Sequence, residues 1–135
     1  MRETIIVLDT NFLLSCFDLQ IDIMSEFERL FSGLSRLVTP YEVIEELKKL
    51  ETTQKALASR ARLALSFIDR HCEVIGQSST EDTTISGADD VILSLAEKFQ
   101  GVIATNDREL RKKSRALGIS SVFLRERAYL ESDRR

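Results

Sequence analysis

The sequence has little of what builds metal sites from nitrogen and sulfur, or of what cross-links small folds. Among 135 residues there are two cysteines, one histidine, one proline, five glycines and no tryptophan. Cys16 and Cys72 are too few for a disulfide framework, and together with His71 they do not have the spacing of a zinc site. Any metal ion held by this chain is therefore expected to be bound by oxygen atoms.

Long hydrophobic runs are also absent. The longest apolar stretches fall far short of the ~20 residues that cross a bilayer, and the N-terminal residues lack the apolar core of a signal peptide. The sequence therefore predicts a cytoplasmic protein without membrane association. A content of 43% hydrophobic and 30% charged residues, without low-complexity segments, is typical of a folded globular chain.

The charge of the chain is slightly negative overall and unevenly distributed. The net charge is −3, whereas proteins that bind nucleic acid by charge alone usually have a basic excess. The cluster of basic residues near the C-terminus is either a solvated helix face or a surface that holds phosphates. Its members are Arg108, Arg111, Lys112, Lys113 and Arg115, with further arginines between 125 and 135.

Short β-rich stretches alternate with amphipathic helical patterns. A capping box formed by Thr39 and Glu42 is predicted to begin the second long helix, and Gly101 to end the helix before the fourth strand. Because strands alternate with helices, we expect an α/β fold, a three-layer α/β/α sandwich with a central, mainly parallel sheet. Strands are predicted at about 4–8, 37–39, 72–75, 102–105 and 121–124, and helices at about 22–34, 40–51, 56–70, 86–99 and 108–117, with a short helix after the first strand.

Two acidic residues lie just beyond the carboxyl ends of predicted strands. Asp9 comes after the first strand and Asp107 shortly after the fourth, and ligands of parallel α/β sheets gather beyond the carboxyl ends of strands. Carboxylates about 4 Å apart repel by roughly 4 kcal/mol at an effective dielectric constant near 20. A cluster of this kind either protonates in part or holds a cation, and we favour the cation.

Two further acids lie on predicted helices, each beside a second acid. At about 100° per residue, Glu46 borders the buried stripe of its helix while Glu45 points away from it. The same geometry places Asp89 beside the buried face of a later helix and turns Asp90 toward solvent. Glu46 and Asp89 are therefore the preferred site residues, with Asp90 as the reserve.

Each of these acids also has an ordinary structural explanation. Taken singly, they are typical of helix caps, first-turn acids or helix-surface residues, so only the joint arrangement indicates a site. The polar residues beside them, Asn11, Thr105 and Asn106, either cap helices or orient the acids by hydrogen bonds.

Four stretches of sequence resemble motifs of a known family. Residues 7–14 (VLDTNFLL), 40–47 (PYEVIEEL), 87–92 (GADDVI) and 104–110 (ATNDREL) are similar in order and spacing to the four acidic motifs of PIN-domain ribonucleases. The resemblance extends from Ile5 to about Leu130. Residues 21–30 and 123–130 are most similar to an archaeal branch akin to the PIN nucleases of ribosomal-RNA processing, a branch that also contains VapC-like proteins.

The resemblance implies a single PIN-like nuclease domain over residues 1–130, followed by a polar C-terminal tail at 131–135. It implies that one or two Mg²⁺ or Mn²⁺ ions are bound and that a metal-bound water hydrolyses RNA phosphodiester bonds. Single-stranded or unpaired RNA is the expected substrate, with the basic cluster at 108–115 holding its phosphates. The metal ligands and catalytic residues implied are Asp9, Glu46, Asp89 and Asp107.

The resemblance also implies partners and a biological role. A homodimer is expected, with exposed apolar residues on the helix at 22–34 as a candidate interface. The implied role is ribosomal-RNA processing, with a ribosome-assembly protein as partner. The alternatives are a VapC-type toxin paired with an antitoxin, and a catalytically weak PIN scaffold that binds RNA or protein.

Overall fold

The computed structural model of the chain describes residues 3–76 and 88–134. It confirms the predicted strands and long helices with small shifts in their ends, while the predicted start of the helix near 86 lies outside the described residues. No helix in the described ranges is long and apolar enough to cross a membrane. In chain order the elements are β1 (Glu3–Leu8), α1 (Thr10–Asp18), α2 (Ile23–Leu30), β2 (Leu34–Pro40), α3 (Tyr41–Thr53), α4 (Lys55–His71), β3 (Cys72–Ile75), α5 (Ala88–Phe99), β4 (Val102–Ala104), α6 (Arg108–Ala116), β5 (Ser121–Arg125) and β6 (Tyr129–Ser132).

Six strands form one sheet in the order β3-β2-β1-β4-β5-β6. All neighbouring pairs are parallel except β5 and β6, which are antiparallel. The expected α/β fold with a mainly parallel central sheet is thus confirmed. The strand order reverses between β1 and β4, and in open parallel sheets a switch point of this kind leaves a crevice at the carboxyl ends of the two strands.

The core lies on both faces of the two central strands. Ile6, Val7 and Leu8 of β1 and Ile103 and Ala104 of β4 have no solvent exposure. Consecutive buried residues of this kind are expected when helices cover both faces of a parallel sheet. The strands that end at the crevice are therefore rigidly held, and so are the residues that directly follow them.

The C-terminal strand β6 was not predicted. It extends to Ser132, into the segment that we expected to be a polar tail, and the side chain of Asp133 accepts a hydrogen bond of 2.6 Å from the backbone N–H of Ser121. Its outer edge is held by α2: Glu26 accepts from the N–H of Leu130 at 2.8 Å, and Arg29 donates to its carbonyl at 2.6 Å. One edge of β6 thus pairs with β5, and side chains of α2 provide hydrogen-bond partners at the other edge.

The predicted capping box at the start of α3 is wrong. Strand β2 continues through Pro40, and Thr39 is buried within it. Its hydroxyl donates a 3.0 Å hydrogen bond to the carbonyl oxygen of Leu8 in the neighbouring strand and does not cap the helix. The hydroxyl thus satisfies a backbone carbonyl at the end of β1, next to Asp9.

Helix α2 is shorter than predicted and leaves little apolar surface. It ends at Leu30, and Phe31 is extended before β2 begins. Ile23 and Phe27 are buried, while Met24 and Leu30 pack against the core. This helix therefore has no large exposed apolar side chain, and the homodimer stays a prediction without an assigned interface.

Helix α5 ends before Gly101, as expected, and both Gln100 and Gly101 contribute to its end. Gln100 adopts the left-handed conformation with φ 54°, and Gly101 follows without a side chain. A Cβ atom at Gly101 would lie 2.5 Å from the carbonyl oxygen of Ile5 in β1. Glycine is therefore needed for the close approach between this turn and β1.

Candidate active site

Asp9 directly follows β1 at the crevice between β1 and β4. Only 8% of its surface is exposed, and its backbone N–H donates to the carbonyl oxygen of Ala104 at 3.1 Å. Its Oδ2 accepts a 2.7 Å hydrogen bond from the hydroxyl of Thr105. Asp9 occupies the N-cap position of α1 without a side-chain capping bond, so its carboxylate is available to the crevice.

The environment of Asp9 disfavours its charge. Burial raises the pKa of this carboxyl from 3.8 to about 6, against the lowering effect of the hydrogen bonds from Thr105 and from the backbone of Thr10. The negative charges of Asp89 and Glu46 raise the pKa further. Three of the four predicted acids therefore interact electrostatically across the crevice.

Asp107 is connected to Asp9 through one hydroxyl group. Thr105 donates to Asp9 and accepts a 3.1 Å hydrogen bond from the backbone N–H of Asp107. Asp107 also caps α6, because its Oδ1 accepts from the N–H groups of Glu109 at 2.8 Å and Leu110 at 3.3 Å. The helix-cap interpretation of Asp107 is thus confirmed, while its Oδ2 makes no hydrogen bond within the described ranges and its role in the site stays a prediction.

Glu46 accepts a hydrogen bond from a residue that no pattern in the sequence indicated. The hydroxyl of Thr10 donates a 2.7 Å hydrogen bond to Oε1 of Glu46. Thr10 is the first residue of α1 and is only 3% exposed, whereas Glu46 is exposed on α3. The only signal in the sequence was its place between Asp9 and Asn11, which does not indicate a partner on another helix.

Asp89 lies in the first turn of α5 and is partly buried, while its neighbour Asp90 is exposed. Burial raises the pKa of Asp89, and the charge of Asp107 is the next largest cause. Asp90 and Glu46 add to the shift, whereas Lys113 on α6 opposes it. Asp89 thus interacts with the other acids. Lys113 is a basic residue close enough to lower the pKa of Asp89.

The donor set of this crevice suits a hard divalent cation. All of its candidate ligands are carboxylate oxygens, and their mutual repulsion is the kind that a bound cation relieves. The carboxylates do not form a closed cage: within residues 3–76 and 88–134, no three histidine, cysteine or acidic side chains converge as a preformed metal site. The residues therefore match Mg²⁺ or Mn²⁺ in chemistry and charge, as an open cluster.

Neither of the two asparagines hydrogen-bonds to a carboxylate of the site among the described residues. Asn11 is exposed, and it makes no hydrogen bond to Asp9, both residues being in the described part of the chain. Asn106 accepts a 2.8 Å hydrogen bond from the backbone N–H of Leu124. Its amide thus joins the loop that precedes Asp107 to β5.

The basic residues of α6 do not have equivalent positions. Arg111 is partly buried, and its guanidinium carbon lies 3.5 Å from the ring centroid of Phe123 on β5. Burial lowers its pKa, as expected for a cation that is partly removed from water. The exposed members of the cluster are Arg108, Lys112, Lys113 and Arg115.

Comparison with known proteins identifies the family to which the chain belongs. The profile of the family described as PIN like domain matches residues 6–127. The chain is 31% identical over 121 residues to Ribonuclease VapC9 of Archaeoglobus fulgidus, covering 89% of this chain and 82% of that protein. It is 32% identical over 127 residues to Ribonuclease VapC4 of Methanocaldococcus jannaschii, covering 93% and 94%.

A solved structure shows the same architecture. The PIN domain endonuclease Utp24 superposes with a TM-score of 0.75 at 25% identity, covering 97% of this chain and 92% of that chain. The fold and the named relatives make the chain a homologue of PIN-domain nucleases. The chain belongs to the PIN-like domain family, as the resemblance of its four acidic motifs predicted.

Proposed function

We propose that the protein is a divalent-metal-dependent endoribonuclease that hydrolyses phosphodiester bonds of single-stranded or unpaired RNA. The observation that supports this most directly is that acids from separate elements lie close enough to raise the pKa of Asp9 and of Asp89. The charges of Asp89 and Glu46 act on Asp9, and the charge of Asp107 acts on Asp89. Relatives that are 31% and 32% identical bear the name ribonuclease, which supports the reaction class.

Asp9, Glu46, Asp89 and Asp107 are the proposed ligands of one or two Mg²⁺ or Mn²⁺ ions. Such ions lower the pKa of a bound water and neutralise charge that develops on the phosphate and the leaving oxygen. Asp9 fixes the geometry, because it is buried at the end of a central strand. Thr10 and Thr105 orient Glu46 and Asp9 by hydrogen bonds of 2.7 Å each.

Two of the proposed ligands have a second acid beside them on the same helix, which allows a controlled test of these assignments. Glu46→Gln and Asp89→Asn are expected to abolish Mn²⁺-dependent cleavage of an unstructured RNA, because each removes a charged oxygen ligand. Glu45→Gln and Asp90→Asn are the matched controls on the same helices, since the hydrogen bond from Thr10 goes to Glu46 and not to Glu45, and Asp90 is more exposed than Asp89. These controls should cleave like the wild type, and EDTA should silence every protein that cleaves.

The outcomes separate the proposal from its alternatives. Cleavage that persists in EDTA, or that survives both site substitutions, contradicts a metal-dependent mechanism. An unmodified protein that binds RNA but does not cleave it with either ion supports instead a PIN scaffold. Equal loss of activity in all four variants contradicts the choice of Glu46 and Asp89 over their neighbours.

The expected role is ribosomal-RNA processing, with a ribosome-assembly protein as partner. The names of the two curated relatives favour a VapC-type toxin, neutralised by an antitoxin, as the second candidate. Expression in a heterologous cell distinguishes them. A toxin stops growth unless its antitoxin is co-expressed, and Asp9→Asn abolishes the effect. A processing nuclease leaves growth unchanged, and deletion of its gene from the source organism accumulates uncut precursor RNA.

A further inference from the structure

The hairpin formed by β5 and β6 extends beyond the edge of the sheet that carries the acids. Ala104, the last residue of β4, pairs with Val122, and β5 continues for three more residues to Arg125. At about 3.3 Å per residue, the hairpin projects roughly 10 Å past the end of β4. Asn106 holds this projection beside the loop that leads to Asp107, through its bond to the N–H of Leu124.

The turn of this hairpin has an unfavourable backbone conformation for its sequence. Its two central residues, Glu126 and Arg127, have φ angles of 53° and 55°, and the N–H of Ala128 bonds to the carbonyl oxygen of Arg125 at 3.0 Å. Tight hairpin turns of this type prefer asparagine or glycine at both positions. Charged side chains at a strained, exposed turn indicate a role other than stability.

One face of the hairpin is continuous with α6. Arg125 pairs with Tyr129 across the two strands, and alternation along β5 places Phe123 on the same face. Arg111 of α6 packs over Phe123 at 3.5 Å. The partly exposed ring of Tyr129 and the guanidinium of Arg125 thus continue the surface of α6.

The basic residues of α6 divide between its two sides. Arg108, Arg111 and Arg115 recur at intervals of three and four residues and share one side of the helix. The electrostatic influence of Arg108 and Arg115 on Arg111 agrees with this placement. Lys113 is rotated away from them and influences Asp89 instead. Arg108 therefore lies at the N-terminus of α6, next to Asp107, and Arg111, on the same side of the helix, packs on the hairpin.

We propose that Arg125, Arg127 and Tyr129, the hairpin surface, hold the single-stranded RNA that flanks the cleaved bond. This inference rests on the proposed ribonuclease function and extends it. The two arginines bind phosphates, and the ring of Tyr129 stacks on one base, the combination by which proteins hold single strands without reading sequence. Glu131 lies 3.6 Å from Arg125, and both side chains are exposed, so a phosphate competes with a weak pair.

Arg127→Gly tests the proposal without damaging the fold. Glycine is favoured where φ is positive, so the variant should melt roughly 2–4 °C higher than the wild type. Its affinity for a fluorescein-labelled oligouridine, measured by anisotropy in EDTA, should nevertheless fall roughly three- to tenfold. The slope of log affinity against log salt should decrease by about 0.7, the value for one lost phosphate contact on a single strand.

Tyr129→Thr tests the stacking and retains a residue that favours strands. It should weaken oligouridine binding roughly tenfold, and Tyr129→Phe should restore it, because the ring provides the contact. Arg62→Gln is the charge-matched control: this exposed arginine lies on α4, which packs against β3 at the opposite edge of the sheet. Its affinity should equal that of the wild type.

The results distinguish this inference from the ribonuclease proposal. Unchanged affinity in Arg127→Gly and Tyr129→Thr overturns the hairpin surface, even if the wild type cleaves RNA with Mn²⁺. A loss in Arg62→Gln as large as in Arg127→Gly also overturns it, because binding would then follow total charge. Absence of metal-dependent cleavage overturns the ribonuclease proposal, while the binding measured in EDTA still reports on the hairpin.

Discussion

The hydroxyl of Thr10 donates a 2.7 Å hydrogen bond to Oε1 of Glu46, across 36 positions of the sequence. The donor is buried at the start of α1, directly after Asp9, while the acceptor projects from the exposed side of α3. A buried hydroxyl of fixed position thus orients a long and otherwise mobile side chain. Because Thr10 directly follows Asp9, this bond fixes the carboxylate of Glu46 relative to the chain beside Asp9.

We expect Thr10→Val to weaken Mn²⁺ binding by about tenfold with little change in stability. Valine has nearly the same shape but cannot donate to Glu46, and loss of an outer hydrogen bond to a ligand lowers metal affinity by about 10- to 100-fold. The low end of this range is expected because Glu46 is exposed and water replaces the lost donor. Titration calorimetry of the purified protein with Mn²⁺ measures the effect.

Two variants control for the loss of a buried hydroxyl. Thr10→Ser keeps the donor and should bind Mn²⁺ like the wild type. Thr39→Val removes a buried hydroxyl that bonds to the carbonyl oxygen of Leu8 and to no acid, so its metal affinity should be unchanged. If Thr10→Val and the wild type bind Mn²⁺ equally well, Thr10 has no positioning role.

Thr105→Val should raise the pKa of Asp9 above its value of about 6. The hydrogen bond from Thr105 stabilises the ionised carboxylate and is the main influence that opposes burial, so its loss favours the protonated form. The titration of ¹³C-labelled aspartate, followed by NMR in metal-free protein, gives the midpoint directly. A midpoint equal to or below that of the wild type would contradict this role, and Thr39→Val should leave the midpoint in place.

The central part of the fold was predictable because local sequence and tertiary environment agree there. The residues of β1 and β4 are short apolar runs, as buried parallel strands require, and both ends of β3 were predicted correctly. Strand β6 was missed because its stability depends on Glu26 and Arg29, which are distant in sequence and bond to the backbone of Leu130. Four residues with one buried apolar side chain do not provide a local signal.

The same distinction applies to the candidate site. The periodicity of apolar residues shows which acids follow strands and which lie beside the buried face of a helix. The four acids could therefore be selected from the sequence. The bond between Thr10 and Glu46 depends on how α1 packs near α3, which periodicity does not specify. Arg111 was expected to hold phosphates because of its charge, but its contact with Phe123 depends on the position of α6 over β5.

Gly101→Ala should destabilise the protein by about 2 kcal/mol through overpacking against β1. The new Cβ atom would lie 2.5 Å from the carbonyl oxygen of Ile5, a backbone atom that cannot move without shifting the strand that ends at Asp9. Gly118→Ala is the comparison: its φ is +76° and its Cβ atom would meet no atom within 4 Å, so it loses only about 1 kcal/mol. Urea denaturation compares the two, and a smaller loss for Gly101→Ala would contradict the close approach.

Asp9→Asn should stabilise the metal-free protein at neutral pH. Because the pKa of Asp9 is about 6 in the folded state and 3.8 ordinarily, the folded protein binds this proton more tightly than the unfolded chain does. Stability is therefore greatest below pH 4 for this group, falls as pH rises through 6, and is lower by about 3 kcal/mol above that range. Asparagine avoids the loss and still accepts the bond from Thr105.

Urea denaturation in EDTA at several pH values therefore tests the burial of this charge separately from catalysis. The advantage of Asp9→Asn over the wild type should be about 2–3 kcal/mol at pH 8 and should shrink toward zero near pH 4. Asp90→Asn, at an exposed position, should show no such trend. Added Mn²⁺ should stabilise the wild type more than Asp9→Asn, because the variant lacks one of the four proposed carboxylate ligands. An advantage that is independent of pH would show that Asp9 is not a desolvated charge.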